Sequence, residues 1–314
     1  MRRFARLTAI AVLLILCLLE AASRYMLDYS LKPENRGKDL EGSYAFMYER
    51  YPYLHPWVDS LRQASALCDT FVRAADGTRL HALYVRAVPA STRTAVIVHG
   101  YTDNAIRMLM IGHLYSHELG YNILLPDLRY SGLSEGDHFQ MGWNDRTDLL
   151  QWMDVAHSLY GDSTTLVVHG ISMGAATTMM ASGELPQRPY VRCYVADCGY
   201  TSVWDEFQHQ LKEQFHLPAF PLLYTTDWLC RQKYGWGFRE ASALKQVARC
   251  PLPMLFIHGE ADTFVPTTML LNLYQAKPAP KDLWIAPDSE HALSYRDHTQ
   301  EYVRRVRIFT EKYM

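Results

Sequence analysis

Apolar runs alternating with helical patterns of ten or more residues predict an α/β protein built on a mainly parallel sheet with flanking helices. Three observations carry that prediction. Runs such as Ala95-Val96-Ile97-Val98 and Met254-Leu255-Phe256-Ile257 are wholly apolar, as strands buried on both faces must be. Between such runs lie stretches with helical spacing, among them residues 105–119 and 145–160. One stretch, about residues 200–247, interrupts the alternation with aromatics but no buried strand, and is expected to form a helical cap insertion.

The chain begins differently. Met1-Arg2-Arg3-Phe4-Ala5-Arg6 is basic, Leu7 to Leu19 is almost entirely apolar, and Glu20 closes the run before Ala21-Ala22-Ser23. A basic flank, a short apolar core and the small residues Ala21 and Ser23 fit a secretory signal. The stretch from Phe4 to Ala22 also suffices for an uncleaved anchor. Residues 1–26 are therefore expected to be a signal peptide or a membrane anchor. In either case the basic flank stays in the cytoplasm and the bulk of the chain lies outside it: membrane-anchored, or secreted or periplasmic after cleavage.

Residues 27–66, rich in Tyr and Pro, read as an extension with helical pieces, and residues 67–314 as the main domain. That domain opens with Thr70-Phe71-Val72-Arg73 and Leu80 to Val85 around Asp76-Gly77, a hairpin signal that starts the sheet with antiparallel strands. Further strands are expected at Ala95–Gly100, Tyr121–Leu125, Thr164–Val168, Val191–Ala196, Met254–His258 and Leu283–Ala286, and a last helix at about Tyr295–Tyr313. The formal net charge of −2 with no block of like charges gives nucleic-acid binding no electrostatic support. Six scattered cysteines show no C-x-x-C spacing; in an exported domain Cys230 and Cys250 are the candidates for a bridge.

The chemistry centres on His169-Gly170-Ile171-Ser172-Met173-Gly174, which follows an apolar run and opens a helical one. In a G-x-S-x-G turn the glycines let the backbone bend sharply and present the serine at a helix N-terminus. The five residues alone also fit an ordinary strand-to-helix turn, so the remaining strand ends decide. A serine hydroxyl needs a histidine to take its proton, and the imidazole needs a carboxylate to fix its tautomer. Asp262 follows the penultimate strand and His291 the last, giving the order Ser, Asp, His. Two backbone N–H groups would meet the oxyanion, that of Met173 after the serine and that of Tyr101 after His99-Gly100. Asp197, at an earlier strand end, is a rival carboxylate. Asp288 is too close in sequence to orient His291; His99, His169 and His258 read as structural or as shaping the site, and His298 as a surface residue of the last helix.

At these motifs the sequence resembles an α/β-hydrolase fold serine hydrolase, similar to the bacterial esterase and S9/S33-peptidase-like group. The resemblance also rests on Pro126-Asp127-Leu128-Arg129-Tyr130-Ser131-Gly132, Asp197-Cys198-Gly199-Tyr200, Ile257-His258-Gly259-Glu260-Ala261-Asp262 and His291-Ala292, in family order from about Phe71 onward. It implies Ser172 as nucleophile, His291 as base and Asp262 as acid, with Asp127 and Arg129 holding their loop. The expected activity is hydrolysis of carboxylic esters through an acyl-serine, with a small-molecule acyl ester as substrate. The same machinery leaves a peptidase on short peptides open, and a membrane-tethered binding protein without catalysis is the alternative of a different class. No metal or cofactor is implied, since neither H-E-x-x-H nor a G-x-G-x-x-G after a strand occurs.

Overall fold

A computed structural model describes residues 2–34 and 37–314. Its elements in chain order are helices α1 (Arg2–Leu31), α2 (Leu40–Arg50) and α3 (Leu54–Gln63), then strands β1 (Cys68–Arg73), β2 (Arg79–Val85) and β3 (Arg93–Val98). They continue with α4 (Leu109–His113), β4 (Asn122–Pro126), α5 (Asp145–Tyr160), β5 (Thr165–Ile171), α6 (Met173–Ser182) and β6 (Val191–Asp197). Helices α7 (Val203–Phe215), α8 (Leu222–Tyr234) and α9 (Ala243–Val247) precede β7 (Met254–Gly259), α10 (Thr267–Ala276), β8 (Lys281–Ala286), α11 (Ser294–Asp297) and α12 (Thr299–Tyr313).

The strands form one eight-stranded sheet in the order β1-β2-β4-β3-β5-β6-β7-β8. β1 and β2 pair antiparallel, with Val72 opposite Leu80, and β2 pairs antiparallel with β4. Every pairing from β4 through β8 is parallel. Side chains of successive strand residues leave opposite faces, so the sheet feeds two core layers. Val96, Val98 and Val168 pack under α5 and α6 with Trp152 and Met179; Ala95, Ile97 and Val167 pack on the other face with Leu109, Tyr302 and Val306. This is the α/β-hydrolase fold, with α7 and α8 forming the cap between β6 and β7 and α9 packing back on α6 and α10.

Two expected helices are divided. The 105–119 pattern opens as a 3-10 turn over Ala105–Met108, passes through α4 and ends as a π turn over Leu114–Glu118. The opening turn is held tight because Asp127 Oδ1 accepts the Ala105 N–H at 2.7 Å and Asn104 Oδ1 accepts that of Arg107 at 3.1 Å. The final helix breaks at His298, whose Nε2 lies 2.8 Å from the Pro287 carbonyl oxygen. The bridge between Cys230 and Cys250 is not formed. Both are buried free thiols, and Cys250 turns its sulfur toward the Leu252 carbonyl.

Helix α1 runs without interruption past residue 26 to Leu31. From Phe4 to Leu18 its large apolar side chains are exposed, and the helix is long and apolar enough to cross a membrane. Beyond Ala22 one face turns inward at Ser23, Leu27 and Leu31, a four-residue spacing that makes a single stripe. Ser23 Oγ meets Thr225 Oγ1 at 2.6 Å, and Asp28 meets Lys233 at 3.3 Å, so α1 and α8 lie side by side.

Candidate active site

β5 delivers Ser172 to the carboxyl edge of the sheet, where open α/β sheets place their ligands. The serine has φ +56° and ψ −120°, a conformation that costs a non-glycine residue free energy and lifts its side chain out of the turn. Gly170 and Gly174 make the turn possible. A Cβ on Gly170 would run into the Gly174 carbonyl, and one on Gly174 into the Val98 carbonyl of β3. The Ser172 N–H donates to the Asp197 carbonyl at 2.8 Å, tying the turn to β6.

Asp262 follows β7 and His291 follows β8, and both reach the same spot. His291 Nε2 lies 2.8 Å from Ser172 Oγ, and its Nδ1 lies 2.7 Å from Asp262 Oδ2. Asp262 Oδ1 accepts the N–H groups of Phe264 and Val265 at 3.0 and 2.9 Å. On its other side stands His258, with Nε2 3.1 Å from Oδ2. Burial pushes the Asp262 carboxyl up, but hydrogen bonds from His258 and His291 outweigh it and hold the group at about 2. It is therefore ionised at neutral pH, the state in which it can orient an imidazole.

Tyr101 and Met173 line the same pocket as Ser172. The approach is close, since a Cβ on Gly100 would stand 3.4 Å from Ser172 Cβ. The rival Asp197 turns elsewhere: it accepts the Tyr302 hydroxyl at 2.9 Å, and burial pushes it up to about 6. His99 is structural, with Nε2 accepting the Leu128 N–H at 2.9 Å, and burial pulls its pKa down. Buried His169 bonds Tyr115 and Tyr302. Asp127 accepts the Leu133 N–H, and Arg129 grips Asp148 at 2.6 and 3.0 Å and also pairs with Asp76, so both hold their loop.

Among the described residues, two clusters carry metal-type donors. In the first, Cys198 joins Asp262 and His291, which are already engaged with each other and with Ser172. The second, His113, His117 and Glu118, lies apart from Ser172, and two of its three members are exposed.

Above Ser172 lies an apolar pocket of about 830 Å³, its open mouth included. Phe207 and Leu211 of α7 and Leu223 of α8 line it, as does Met26 of α1. Three polar side chains run up its α7 wall at four-residue spacing. Gln210 Nε2 donates to Glu206 Oε1 at 2.9 Å, Gln214 Nε2 to Gln210 Oε1 at 2.7 Å, and the Tyr29 hydroxyl to Gln214 Oε1 at 3.1 Å. Glu206 Oε2 has no partner among the described residues, and burial pushes the carboxyl up to about 8. None of these residues stood out in the motifs; the signal was the i, i+4 run of Glu206, Gln210 and Gln214 on an otherwise apolar helix face.

The prolyl oligopeptidase family (Peptidase_S9) matches residues 112–314. The YqkD protein of Bacillus subtilis (strain 168) is 31% identical over 224 residues, covering 69% of this chain and 71% of its own. YfhR of Escherichia coli (strain K12) is 28% identical over 235 residues, covering 74% and 75%. Among solved structures, the Pyrococcus furiosus esterase Pf2001 superposes with a TM-score of 0.65 at 22% identity, over 81% of this chain and 96% of its own. Family match, relatives and fold agree: the chain belongs to the prolyl oligopeptidase family, as an α/β-hydrolase fold serine hydrolase.

Proposed function

We propose that this protein hydrolyses carboxylic esters through an acyl-enzyme on Ser172, with its hydrolase domain held outside the cytoplasm by α1 as an uncleaved anchor. The observation that carries the proposal is the single imidazole, His291, bridging Ser172 Oγ and Asp262 Oδ2 at 2.8 and 2.7 Å beneath an apolar pocket. His291 takes the Ser172 proton as Oγ bonds to the acyl carbon. Asp262 stabilises the imidazolium, and the N–H groups of Tyr101 and Met173 receive the oxyanion. The alcohol leaves with the proton from His291. Water then bonds to the acyl carbon as it gives a proton to His291, and His291 passes that proton to Ser172 Oγ as the acyl bond to Oγ breaks, releasing the carboxylic acid and free Ser172.

Peptide cleavage by the same groups is favoured by the family match alone. The largely apolar lining of the pocket supports an acyl ester over a peptide with a free, charged amine. A fluorophosphonate probe should label the wild-type chain and not Ser172→Ala, and the variant should lose at least about 10,000-fold in p-nitrophenyl ester turnover. Equal labelling of both refutes the proposal. Faster turnover of an aminoacyl amide than of a size-matched ester selects the peptidase.

A further inference from the structure

The acyl pocket is walled in part by the helix that carries the membrane-spanning run. Met26, Tyr29 and Ser30 of α1 line it together with Ser172. At 1.5 Å per residue, a hydrocarbon core of about 30 Å takes up roughly 20 residues. Counted from Phe4, past Arg2 and Arg3 of the basic flank, that places the edge of the core near Ala22. Met26 then stands about 6 Å above this edge and Tyr29 about 10 Å, within or just beyond the headgroup layer.

The pocket reaches the surface at that level, as it also does at Phe264. Tyr29 and Gln214 both line it and are exposed, and the hydrogen bond between them spans the seam between α1 and α7. Apart from this seam and from Glu206 and Gln210 the walls are largely apolar, with Met26, Phe215, Leu222 and Leu223 among them.

The neighbouring cap surface is apolar below that level, nearer the spanning segment. Thr225 meets Ser23 and Lys233 meets Asp28, so α8 runs in the same direction as α1, with its start nearest the spanning segment. Around that start Phe220 is 71% exposed and Trp228 60%, with Leu217 and Tyr224 also exposed. Large aromatic side chains left in the open beside a spanning helix suit the membrane–water interface, where amphipathic rings are enriched.

We propose that the cap rests on the bilayer and that the pocket draws its acyl chain from it, so that the substrates are long-chain carboxylic esters of membrane lipids. The inference rests on the ester-hydrolase reading above and narrows its substrate class. The bond broken is the lipid's acyl ester, and the products are a fatty acid and the deacylated lipid alcohol, by the same two steps at Ser172. Phe220 and Trp228 serve the bilayer contact, and the pocket serves the acyl chain.

The test uses the full-length chain in phosphatidylcholine vesicles carrying 4-methylumbelliferyl palmitate, with p-nitrophenyl acetate in the bulk phase as the soluble comparison. The expected result is a vesicle-to-soluble rate ratio that falls tenfold or more in the double variant Phe220→Asp, Trp228→Asp, measured on protein still labelled by a fluorophosphonate. A labelled double variant with an unchanged ratio overturns the inference. The wild-type chain gives a second reading that needs no variant to fold: in vesicles its rate should rise as the umbelliferyl acyl chain is lengthened from 4 to about 16 carbons. A wild-type chain that labels and cleaves the acetate but not the palmitate overturns the inference and leaves the hydrolase reading standing. Absence of labelling and of turnover on both esters overturns the two together.

Discussion

Replacing Asp262 by Asn changes one oxygen to NH2, and the surroundings dictate which one. Oδ1 accepts two backbone N–H groups, from Phe264 and Val265, so the amide oxygen of Asn must stay there and the NH2 must take the place of Oδ2. That nitrogen then faces His291 Nδ1 across what is now a 2.7 Å contact. Two donors cannot share it, so the imidazole moves its proton to Nε2. Nε2 in turn faces Ser172 Oγ at 2.8 Å as a donor and has no lone pair left for the serine proton. A wrong tautomer of this kind costs about 10,000-fold in kcat, or about 5.4 kcal/mol at 1.36 kcal/mol per decade.

The assay is kcat on p-nitrophenyl butyrate, with thermal unfolding of the same preparations to separate chemistry from folding. Asp197→Asn is the matched control, because Asp197 is equally buried and near but bonds Tyr302, and its kcat should stay within about tenfold of wild type. If Asp262→Asn stays within tenfold of wild type, or if Asp197→Asn loses as much, the assignment of the acid is wrong.

Two further variants probe the frame and the pocket. Gly174→Ala drives a methyl group into the Val98 carbonyl, a backbone atom that cannot rotate away, so we expect at least about 1–3 kcal/mol of destabilisation and weaker fluorophosphonate labelling; an unchanged melting temperature with full labelling would contradict the close packing of β3 on the serine turn. Glu206→Gln tests burial of the pocket acid. Between the ordinary glutamate pKa of 4.5 and the folded value of about 8 the folded chain keeps a proton that the unfolded chain releases, so wild-type stability falls as pH rises through this window. The variant lacks that loss, and its melting temperature relative to wild type should be higher at pH 8.5 than at pH 5; an equal difference at both pH values counts against a buried neutral carboxyl.

Much of the fold was open to reading because parallel strands buried on both faces leave short, wholly apolar runs, and these stand out wherever they occur. The serine turn and the two later strand ends were legible for a related reason. In β-α-β frames, polar residues just past apolar runs gather at one edge, and Ser172, Asp262 and His291 meet there at hydrogen-bond distance. Features set by tertiary partners were hidden. The irregular helix between β3 and β4 depends on Asp127, more than twenty positions from the turn it clamps in part. The inward stripe of Ser23, Leu27 and Leu31 follows shortly after an almost entirely apolar run that has no face of its own, so the pattern gave no hint that one helix serves two environments. The place of His258 beside a glycine fits a residue that is structural or shapes the site, and only the three-dimensional contact shows that it stands against the same carboxylate as His291.

From Arg2 to Leu31, α1 contains neither glycine nor proline. Sharp bends in helices arise almost entirely at such residues or at inserted bulges, so α1 is a stiff rod of about 45 Å with no hinge. Anchored by such a rod, the domain would neither tumble freely nor swing on a leash; its tilt and height would be set by those of the helix in the bilayer. Encounter with a substrate in the same leaflet would then be a search in two dimensions with one orientation already fixed. Its speed would be governed by how densely the ester populates the surface, whatever the volume of water around it.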